Sequence, residues 1–169
     1  MILSILIPTT KDREGMTWML IKHLLHQGGG ISSGHLKSED GFILHTMICG
    51  QIEIIKHEDS YSLSTGNKRN RLYEMANGKY SVSVDSDDWV PDYYIEELLK
   101  AAESDADCFG INGIMITDNI KTETWNISKD NPYKTVAGYA GRHFLRYPNH
   151  ITPIKSEICK QFKFPDSSL

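Results

Sequence analysis

The sequence contains few cysteines and no excess of basic residues, and each shortage excludes a class of protein. Its 169 residues include three cysteines. They stand far apart, without a CxxC pair or a histidine at zinc-finger spacing, so neither a disulfide framework nor a structural zinc is indicated. The 18 Lys and Arg residues against 22 Asp and Glu give a net charge of −4, which argues against binding to nucleic acid or an anionic membrane. We therefore expect a protein of the reducing cytoplasm.

Long hydrophobic runs are also lacking, so we expect no membrane span. The apolar N-terminus, residues 2–7, has no basic flank or cleavage site of a signal peptide and ends at Pro8. Its β-branched, nearly all-apolar composition is typical of a strand buried on both faces of a parallel sheet. With 40% hydrophobic and 24% charged residues, the chain suits one domain over residues 1–169.

Strand and helix patterns alternate along the first two thirds of the chain. We predict strands at 52–55 and 80–84, and helices at 16–27, at 67–77 and from Pro91 onward. Residues 28–41 read as a loop that leads into a weak strand near 42–48, and 108–117 with 121–127 read as a hairpin. The prediction is an α/β fold with an open, mostly parallel sheet flanked by helices and a hairpin-rich C-terminal part. Ligands bind such sheets beyond the carboxyl ends of the strands.

The strongest chemical signal is an acidic cluster that follows the third predicted strand. Asp85 and Asp87, two apart on extended chain, would project to the same side, with Asp88 beside them. Carboxylates this close repel one another unless they share a cation, and Mg²⁺ or Mn²⁺ needs only one or two of them beside phosphate and water. The pattern indicates a metal that bridges to a diphosphate. An acidic turn that caps the next helix is the alternative, although Asp85 lies too far back to cap it.

A basic cluster opens the second predicted helix. Lys68, Arg69 and Arg71 stand in its first turn, where positive charge opposes the helix dipole and a bound anion would be stabilised. We interpret this cluster as a phosphate or base site. The alternative is a solvated basic face, which is common for Lys and Arg runs.

Other polar and aromatic residues follow the predicted strands. Residues 8–13 after the first strand and Asp59 after the second offer hydroxyls, cations and a carboxylate, or else form plain polar loops. His150 lies in a stiff segment between two prolines and could be a third metal ligand, an acceptor contact or an ordinary core or surface residue. Trp89 could stack on a sugar or serve as a buried anchor.

In this order and spacing, the segments resemble the nucleotide-sugar half of family 2 glycosyltransferases with the GT-A fold, and in particular small phage and bacterial members. The segments that carry the resemblance are Pro8-Thr9, Asp59, Gly66-Asn67-Lys68-Arg69-Asn70, Ala76-Asn77-Gly78-Lys79-Tyr80, Val84-Asp85-Ser86-Asp87-Asp88, Pro91-Asp92 and Asn149-His150-Ile151-Thr152-Pro153-Ile154-Lys155. The likeness covers nearly the whole chain, with residues 1–117 as the nucleotide-sugar-binding part and 118–169 as part of the acceptor side.

The resemblance implies a role for each matching residue. Base and ribose would lie against the first strand and Asp59. Lys68 and Arg69 would approach the base or the diphosphate, Asp85 would hold the ribose, and Asp87 would hold the metal. The implied nucleotide-sugar-binding residues are Pro8, Thr9, Thr10, Arg13, Asp59, Lys68, Arg69, Asp85 and Ser86. The candidate ligands of Mn²⁺ or Mg²⁺ are Asp87, Asp85, Asp88 and His150. The metal would neutralise the leaving nucleoside diphosphate.

The implied activity is metal-dependent, inverting transfer of a sugar from a nucleoside diphosphate sugar, UDP-sugar first among them, to an unknown acceptor hydroxyl. Family members carry an acidic catalytic base after the segment matching 155–165, which we expect beyond Leu169, and Asp166 falls earlier than that position. The sequence thus looks truncated, and a nucleotide-sugar-binding fragment without transfer activity is the second hypothesis. A Toprim-like or dehalogenase-like phosphate enzyme is a third, which Pro8-Thr9-Thr10 disfavours because those folds need acidic residues there.

Overall fold

A computed structural model describes residues 1–31, 33–39, 42–118, 120–138 and 141–166 of the chain. The strands are β1 (Leu3–Thr10), β2 (Ser33–Glu39), β3 (Phe42–Cys49), β4 (Ile52–Asp59), β5 (Tyr80–Ser83), β6 (Ile111–Thr117), β7 (Lys121–Ile127), β8 (Lys134–Gly138), β9 (Gly141–Arg146) and β10 (Ile154–Lys155). The helices are α1 (Glu14–Gln27), α2 (Thr65–Met75), α3 (Tyr94–Ala102) and α4 (Ser156–Cys159), and a 3₁₀ turn, Lys11–Arg13, joins β1 to α1.

Six strands form one mixed sheet in the order β10-β5-β1-β4-β3-β2. Pairing is parallel where β1 meets β4 and β5, and α2 provides the crossover between those two strands. The outer pairs are antiparallel. β3 reaches β4 through only two residues, a connection that suits antiparallel neighbours and is too short for a parallel crossover. The predicted α/β sheet flanked by helices is confirmed, with its parallel pairing at the centre.

Helices cover both faces of the central strands, which explains the apolar run at the N-terminus. Successive β1 side chains point to opposite faces. Ile5 and Ile7 pack with the cluster that includes Leu20 of α1 and Leu98 of α3. Leu6 packs with the cluster formed around α2. All eight residues of β1 are buried, so the strand fixes the position of the residues that follow it.

The predicted loop over residues 28–41 is wrong for Ser33–Glu39, which forms β2 along β3. This strand has no buried hydrophobic face to reveal it in the sequence, since its one apolar side chain, Leu36, is 70% exposed. Backbone pairing alone therefore defines the strand. Ser32, Asp40 and Gly41 of the predicted loop lie outside the described residues.

A second sheet, in the order β6-β7-β9-β8, follows α3 and consists largely of two hairpins. The predicted hairpin strand at 108–117 begins later, at Ile111, because Cys108 instead bridges Ile154 of the first sheet. The chain then returns to the first sheet as β10, beside β5. None of the helices in the described ranges has the length and hydropathy needed to cross a membrane.

Candidate functional site

The carboxyl ends of β1, β4 and β5 gather most of the predicted residues at one edge of the six-stranded sheet. Thr10 lies opposite Asp59 in the β1–β4 register. After β5 the chain stays beside β1, and the Val84 N–H donates to the Leu6 carbonyl at 3.0 Å. This edge is where ligands bind in sheets of this kind.

A turn, rather than extended chain, holds the acidic cluster. The Asp88 N–H donates to the Asp85 carbonyl at 2.9 Å, since β5 ends at Ser83. The expectation that Asp85 and Asp87 project to the same side from a strand is therefore wrong. The two carboxylates instead contact different arginines.

Asp85 is bound by an arginine from α2. The Arg69 guanidinium donates to both carboxylate oxygens, at 2.8 and 3.0 Å, and His150 Nε2 lies 3.6 Å from Oδ2. Burial alone would raise the pKa of Asp85, but the His150 hydrogen bond and the Arg69 charge lower it to about 2. Asp85 is therefore ionised throughout the neutral range.

His150 is held at the edge by its own backbone. Its carbonyl accepts from the Ser83 N–H at 2.9 Å and from the Tyr73 hydroxyl at 3.3 Å. Sequence reasoning did not foresee Tyr73, whose tyrosine at an inward helical position gives no distinguishing signal. Together these contacts place the imidazole next to Asp85.

Asp87 pairs with Arg13, which follows β1. Arg13 Nη1 lies 3.1 Å from Asp87 Oδ2, and both side chains are about half exposed. Asp88 forms no ion pair with Lys or Arg among the described residues, and partial burial together with the charges of Asp85 and Asp87 raises the pKa of Asp88. The Asp87 and Asp88 residues are exposed, whereas the Asp85 side chain is 33% exposed.

The donor set of this turn fits a hard divalent cation. Within the described ranges no three His, Cys, Asp or Glu side chains are close enough to hold a metal by themselves. Mg²⁺ and Mn²⁺ commonly take one or two carboxylates and complete their shell with phosphate and water. Asp87 and Asp88 offer that number, whereas Asp85 already accepts two hydrogen bonds from Arg69.

Lys68 lies beneath the edge and not on it. It is 4% exposed; its Nζ lies 2.5 Å from Asp59 Oδ1 and donates to the Thr9 carbonyl at 3.1 Å. Asp59 Oδ2 accepts from the Ser62 hydroxyl and the Leu63 N–H. Burial would raise the pKa of Asp59, but the Lys68 hydrogen bond lowers it below its usual value. This buried pair ties the ends of β1 and β4 to α2.

The remaining predicted residues shape the edge from within. Pro8, Thr9 and Ser86 are buried, and the Thr9 hydroxyl bonds the Thr17 hydroxyl of α1 at 2.8 Å. Thr10 is 8% exposed and, with Tyr61, hydrogen-bonds Asp12 and lowers its pKa. The first strand therefore contributes a fixed wall.

Each cation of the basic cluster has a partner within the chain. Lys68 and Arg69 pair with Asp59 and Asp85, and the Arg71 guanidinium lies 4.5 Å from the centre of the Phe42 ring. The helix begins at Thr65, and the Ser64 hydroxyl caps it by accepting from the Asn67 N–H. Charges that oppose the helix dipole are thus offset by side chains of this chain.

A segment that sequence reasoning missed, residues 163–166, lies along α2. Asn70 exchanges two hydrogen bonds with the backbone of Phe164, and the Ser64 hydroxyl donates to Asp166 at 2.6 Å. A Cβ added to Gly66 would collide with the Pro165 carbonyl. Gly66 and Asn70 are the residues that could have predicted this contact. A glycine leaves room for a second backbone, and an amide side chain can hydrogen-bond to it.

His57, two residues before Asp59 on β4, is a buried side chain that can carry a proton. It is fully buried, stacks on Phe42 and has no hydrogen-bond partner for either ring nitrogen among the described residues. Burial, aided by the charge of Arg71, lowers the pKa of His57 from 6.5 to about 4. The imidazole is therefore neutral in the folded protein.

Replacing His57 with Leu is expected to make the protein more resistant to acid. Below pH 6.5 the unfolded chain binds a proton that the folded chain does not take up until about pH 4, so stability falls as the pH drops through this window. We expect this cost to grow to about 3 kcal/mol as the pH approaches 4. Urea unfolding at several pH values, with exposed His26→Leu as control, measures this; parallel losses in wild type and His57→Leu would contradict it.

Trp89 follows the acidic turn and is not a buried anchor. Its side chain is 66% exposed, and its ring stacks on His23 of α1 with centroids 4.5 Å apart. Trp89 lies in the same loop as Asp87 and Asp88 and presents the other face of its ring to solvent.

Comparison with known proteins identifies the family and the fold. Residues 47–165 match the family model described as glycosyl transferase family 2. The structure is similar to the crystal structure of S. aureus TarS 1-349, with a TM-score of 0.53 and 14% sequence identity over 98% of this chain. The chain spans about half of that protein, 51% of its length. No curated protein matches the sequence significantly.

The family match covers most of the chain, including the basic helix, the acidic turn and His150. The structural similarity independently supports a GT-A-like arrangement of the mixed sheet and its helices. The chain therefore belongs to glycosyltransferase family 2.

Proposed function

We propose that this protein binds a nucleoside diphosphate sugar at the carboxyl edge of its six-stranded sheet and transfers the sugar to an acceptor hydroxyl, with inversion and with a divalent metal. The observation that carries the proposal is the meeting of the ionised Asp85 with the exposed Asp87 and Asp88 at this edge, between Arg13 and Arg69. Family membership supplies the reaction class. A site in which carboxylates lie next to arginines suits a diphosphate with a bound metal.

Different residues of the chain would bind the two ends of the donor. Pro8, Thr9, Thr10 and Asp59 form the wall against which we place base and ribose, and Lys68 keeps Asp59 ionised. Asp85 and Ser86 continue that wall toward the ribose. Uridine is our first choice of base.

The acidic turn would hold the metal end of the donor. Asp87 and Asp88 would hold Mn²⁺ or Mg²⁺, which when bound neutralises charge on the leaving diphosphate. Arg13 contacts Asp87 and Arg69 contacts Asp85, and from there both would meet the phosphate oxygens as charge-assisted donors. His150 would orient Asp85 and stay close to the metal.

Binding without transfer is a second candidate function. An inverting transfer requires a base that removes the proton of the acceptor hydroxyl. Asp166, the last acidic residue in the described ranges, accepts from the Ser64 hydroxyl at 2.6 Å and is thereby engaged at the start of α2. This contact favours a role for Asp166 in holding α2 over a role as the base.

A thermal-shift titration tests the proposal. We expect one of UDP, GDP and TDP to raise the melting temperature by several degrees with Mn²⁺ but not with EDTA, since a ligand at a hundred times its Kd adds about 2.7 kcal/mol. Nucleotide release from the matching UDP-, GDP- or TDP-sugar then separates transfer or hydrolysis from binding alone. The proposal fails if no nucleotide shifts the melting temperature under either condition.

We further propose that residues 1–117 carry the donor site and 118–169 part of the acceptor side. The three cysteines form no disulfide within the described residues, and we place the protein in the cytoplasm.

A further inference from the structure

The ring of Trp89 is a large apolar surface that the fold keeps in contact with water. Leaving an aromatic side chain of this size 66% exposed forgoes much of the stabilisation that burial would give. Four residues later, Tyr93 at the start of α3 is 62% exposed. Trp and Tyr are enriched at binding interfaces, because each joins a large apolar ring to a polar group.

The orientation of the Trp89 ring is fixed by α1. One face stacks on the His23 ring, with an angle of 22° between the planes. The His23 Nε2–H donates to the Val90 carbonyl at 2.9 Å, and Gln27 Nε2 donates to the Pro91 carbonyl at 3.0 Å. A ring held from behind in this way offers its other face with little loss of conformational entropy on binding.

An exposed carboxylate lies near this ring. Asp92 Oδ1 lies 3.6 Å from Nε2 of His23, the ring on which Trp89 stacks, and the Asp92 side chain is 96% exposed. A flat aromatic face attracts the weakly positive C–H groups on one side of a sugar ring, and carboxylates accept hydrogen bonds from the hydroxyls at its rim. The combination matches a pyranose better than it matches a linear polyol or an acyl chain, neither of which has both features.

The ring lies close to the proposed reaction centre, beside His23 of α1. Asp87 and Trp89 are two residues apart, so their Cα atoms lie within about 7 Å. Asp87 contacts Arg13 at the start of α1, whereas Trp89 contacts His23, ten residues further along that helix. The loop therefore runs from the metal end of the proposed donor site down the flank of α1.

We propose that Trp89 is a stacking platform for a pyranose ring of the acceptor, so that the acceptor is itself a carbohydrate. This rests on the proposed function, because the transfer reaction is what makes the molecule at this loop an acceptor. Asp92 selects hydroxyl-bearing rings, and Tyr93 extends the surface toward a second sugar.

Indole N–H resonances of the ¹⁵N-labelled full chain test the proposal directly. The sequence has three tryptophans, and a Trp89→Phe variant assigns the Trp89 signal. The probes are the methyl glycosides of glucose, galactose and N-acetylglucosamine, with sorbitol as a polyol without a ring, and UDP and UDP-glucose as donor-side ligands. We expect at least one glycoside to shift the Trp89 signal, and sorbitol and UDP to leave it unchanged.

Two variants then measure the contribution of the ring. Trp89→Ala is expected to weaken binding of that glycoside about tenfold or more, the effect of losing one stacked ring. Trp89→Phe is expected to retain part of the affinity. Tyr133→Ala is the matched control, because Tyr133 is a 69% exposed aromatic outside the proposed site, near Tyr147.

The outcomes separate this proposal from the proposed function. No glycoside shift, or equal glycoside affinity in Trp89→Ala, overturns the platform even if UDP binds with metal. A Trp89 shift with UDP-glucose but with neither UDP nor glycosides assigns the ring to the donor sugar and overturns the acceptor role. A Trp89-dependent glycoside shift in a protein that binds no nucleotide supports the sugar platform and contradicts the donor site.

Discussion

Replacing Lys68 with Met is expected to lower the free energy of unfolding by about 3 to 5 kcal/mol, the usual cost of leaving one partner of a buried ion pair alone. The Lys68 and Asp59 side chains are 5% and 0% exposed, so water cannot replace the missing ammonium group. Met has nearly the length of Lys and creates little cavity, which leaves the unpaired Asp59 carboxylate as the main cost. The Thr9 carbonyl also loses its donor.

Urea unfolding of two further variants isolates the pair. Lys100→Met removes an exposed lysine from the last turn of α3 and should change stability by no more than about 0.5 kcal/mol. The double variant Lys68→Met with Asp59→Asn should recover much of the loss, because a neutral amide no longer needs a counter-ion while its oxygen still accepts from Leu63. A loss below about 1 kcal/mol for Lys68→Met would contradict this prediction and leave Lys68 available to a ligand.

Asp87→Asn is expected to weaken metal-dependent nucleotide binding by roughly 100-fold, the size of effect seen when support for a bound metal is removed. Asn keeps the shape of Asp87 but loses the charge that a divalent cation requires. The Arg13 ion pair that disappears with it is half exposed, so stability should change by less than about 1 kcal/mol. The variant therefore separates binding from folding.

Calorimetric titration with the nucleotide identified by thermal shift, with Mn²⁺ and with EDTA, measures this effect. Asp130→Asn is the matched control, because Asp130 is also exposed and paired with a single exposed cation, Lys129. Equal affinity of Asp87→Asn and Asp130→Asn in Mn²⁺ would rule out Asp87 as a metal ligand. Circular dichroism of both variants establishes that they are folded before the titrations are compared.

The sequence pattern predicted the strands and helices that form the site better than the ion pairs between its side chains. The β1 and β5 strands, α2 and the shared carboxyl edge follow from local periodicity and turn residues, as the buried β1 and the capped α2 illustrate. Which cation meets which carboxylate does not follow, because Arg69 and Asp85 are sixteen residues apart and Arg13 and Asp87 come from different loops. Such pairs depend on side-chain reach and burial, which sequence spacing does not encode.

Two further misses have the same kind of cause. β2 carries no buried apolar face, so only its pairing with β3 identifies it as a strand. Residues 163–166 contain no periodic pattern, and their position along α2 depends on the amide of Asn70 and the absence of a side chain at Gly66. Tertiary contacts decide both, and a single sequence does not display them.

Because the chain returns to the first sheet at β10, the segment between α3 and β10 can change without altering that sheet. Where the excursion that contains β6 to β9 leaves and returns, the Phe109 N–H donates to the Pro153 carbonyl at 3.1 Å and the Lys155 N–H donates to the Asp107 carbonyl at 2.9 Å. Its two ends are therefore held side by side, as in a domain inserted into a closed loop. Exchange or lengthening of this excursion leaves the carboxyl edge of the first sheet in place, so related chains could acquire new acceptors by insertion while retaining one way of binding the donor.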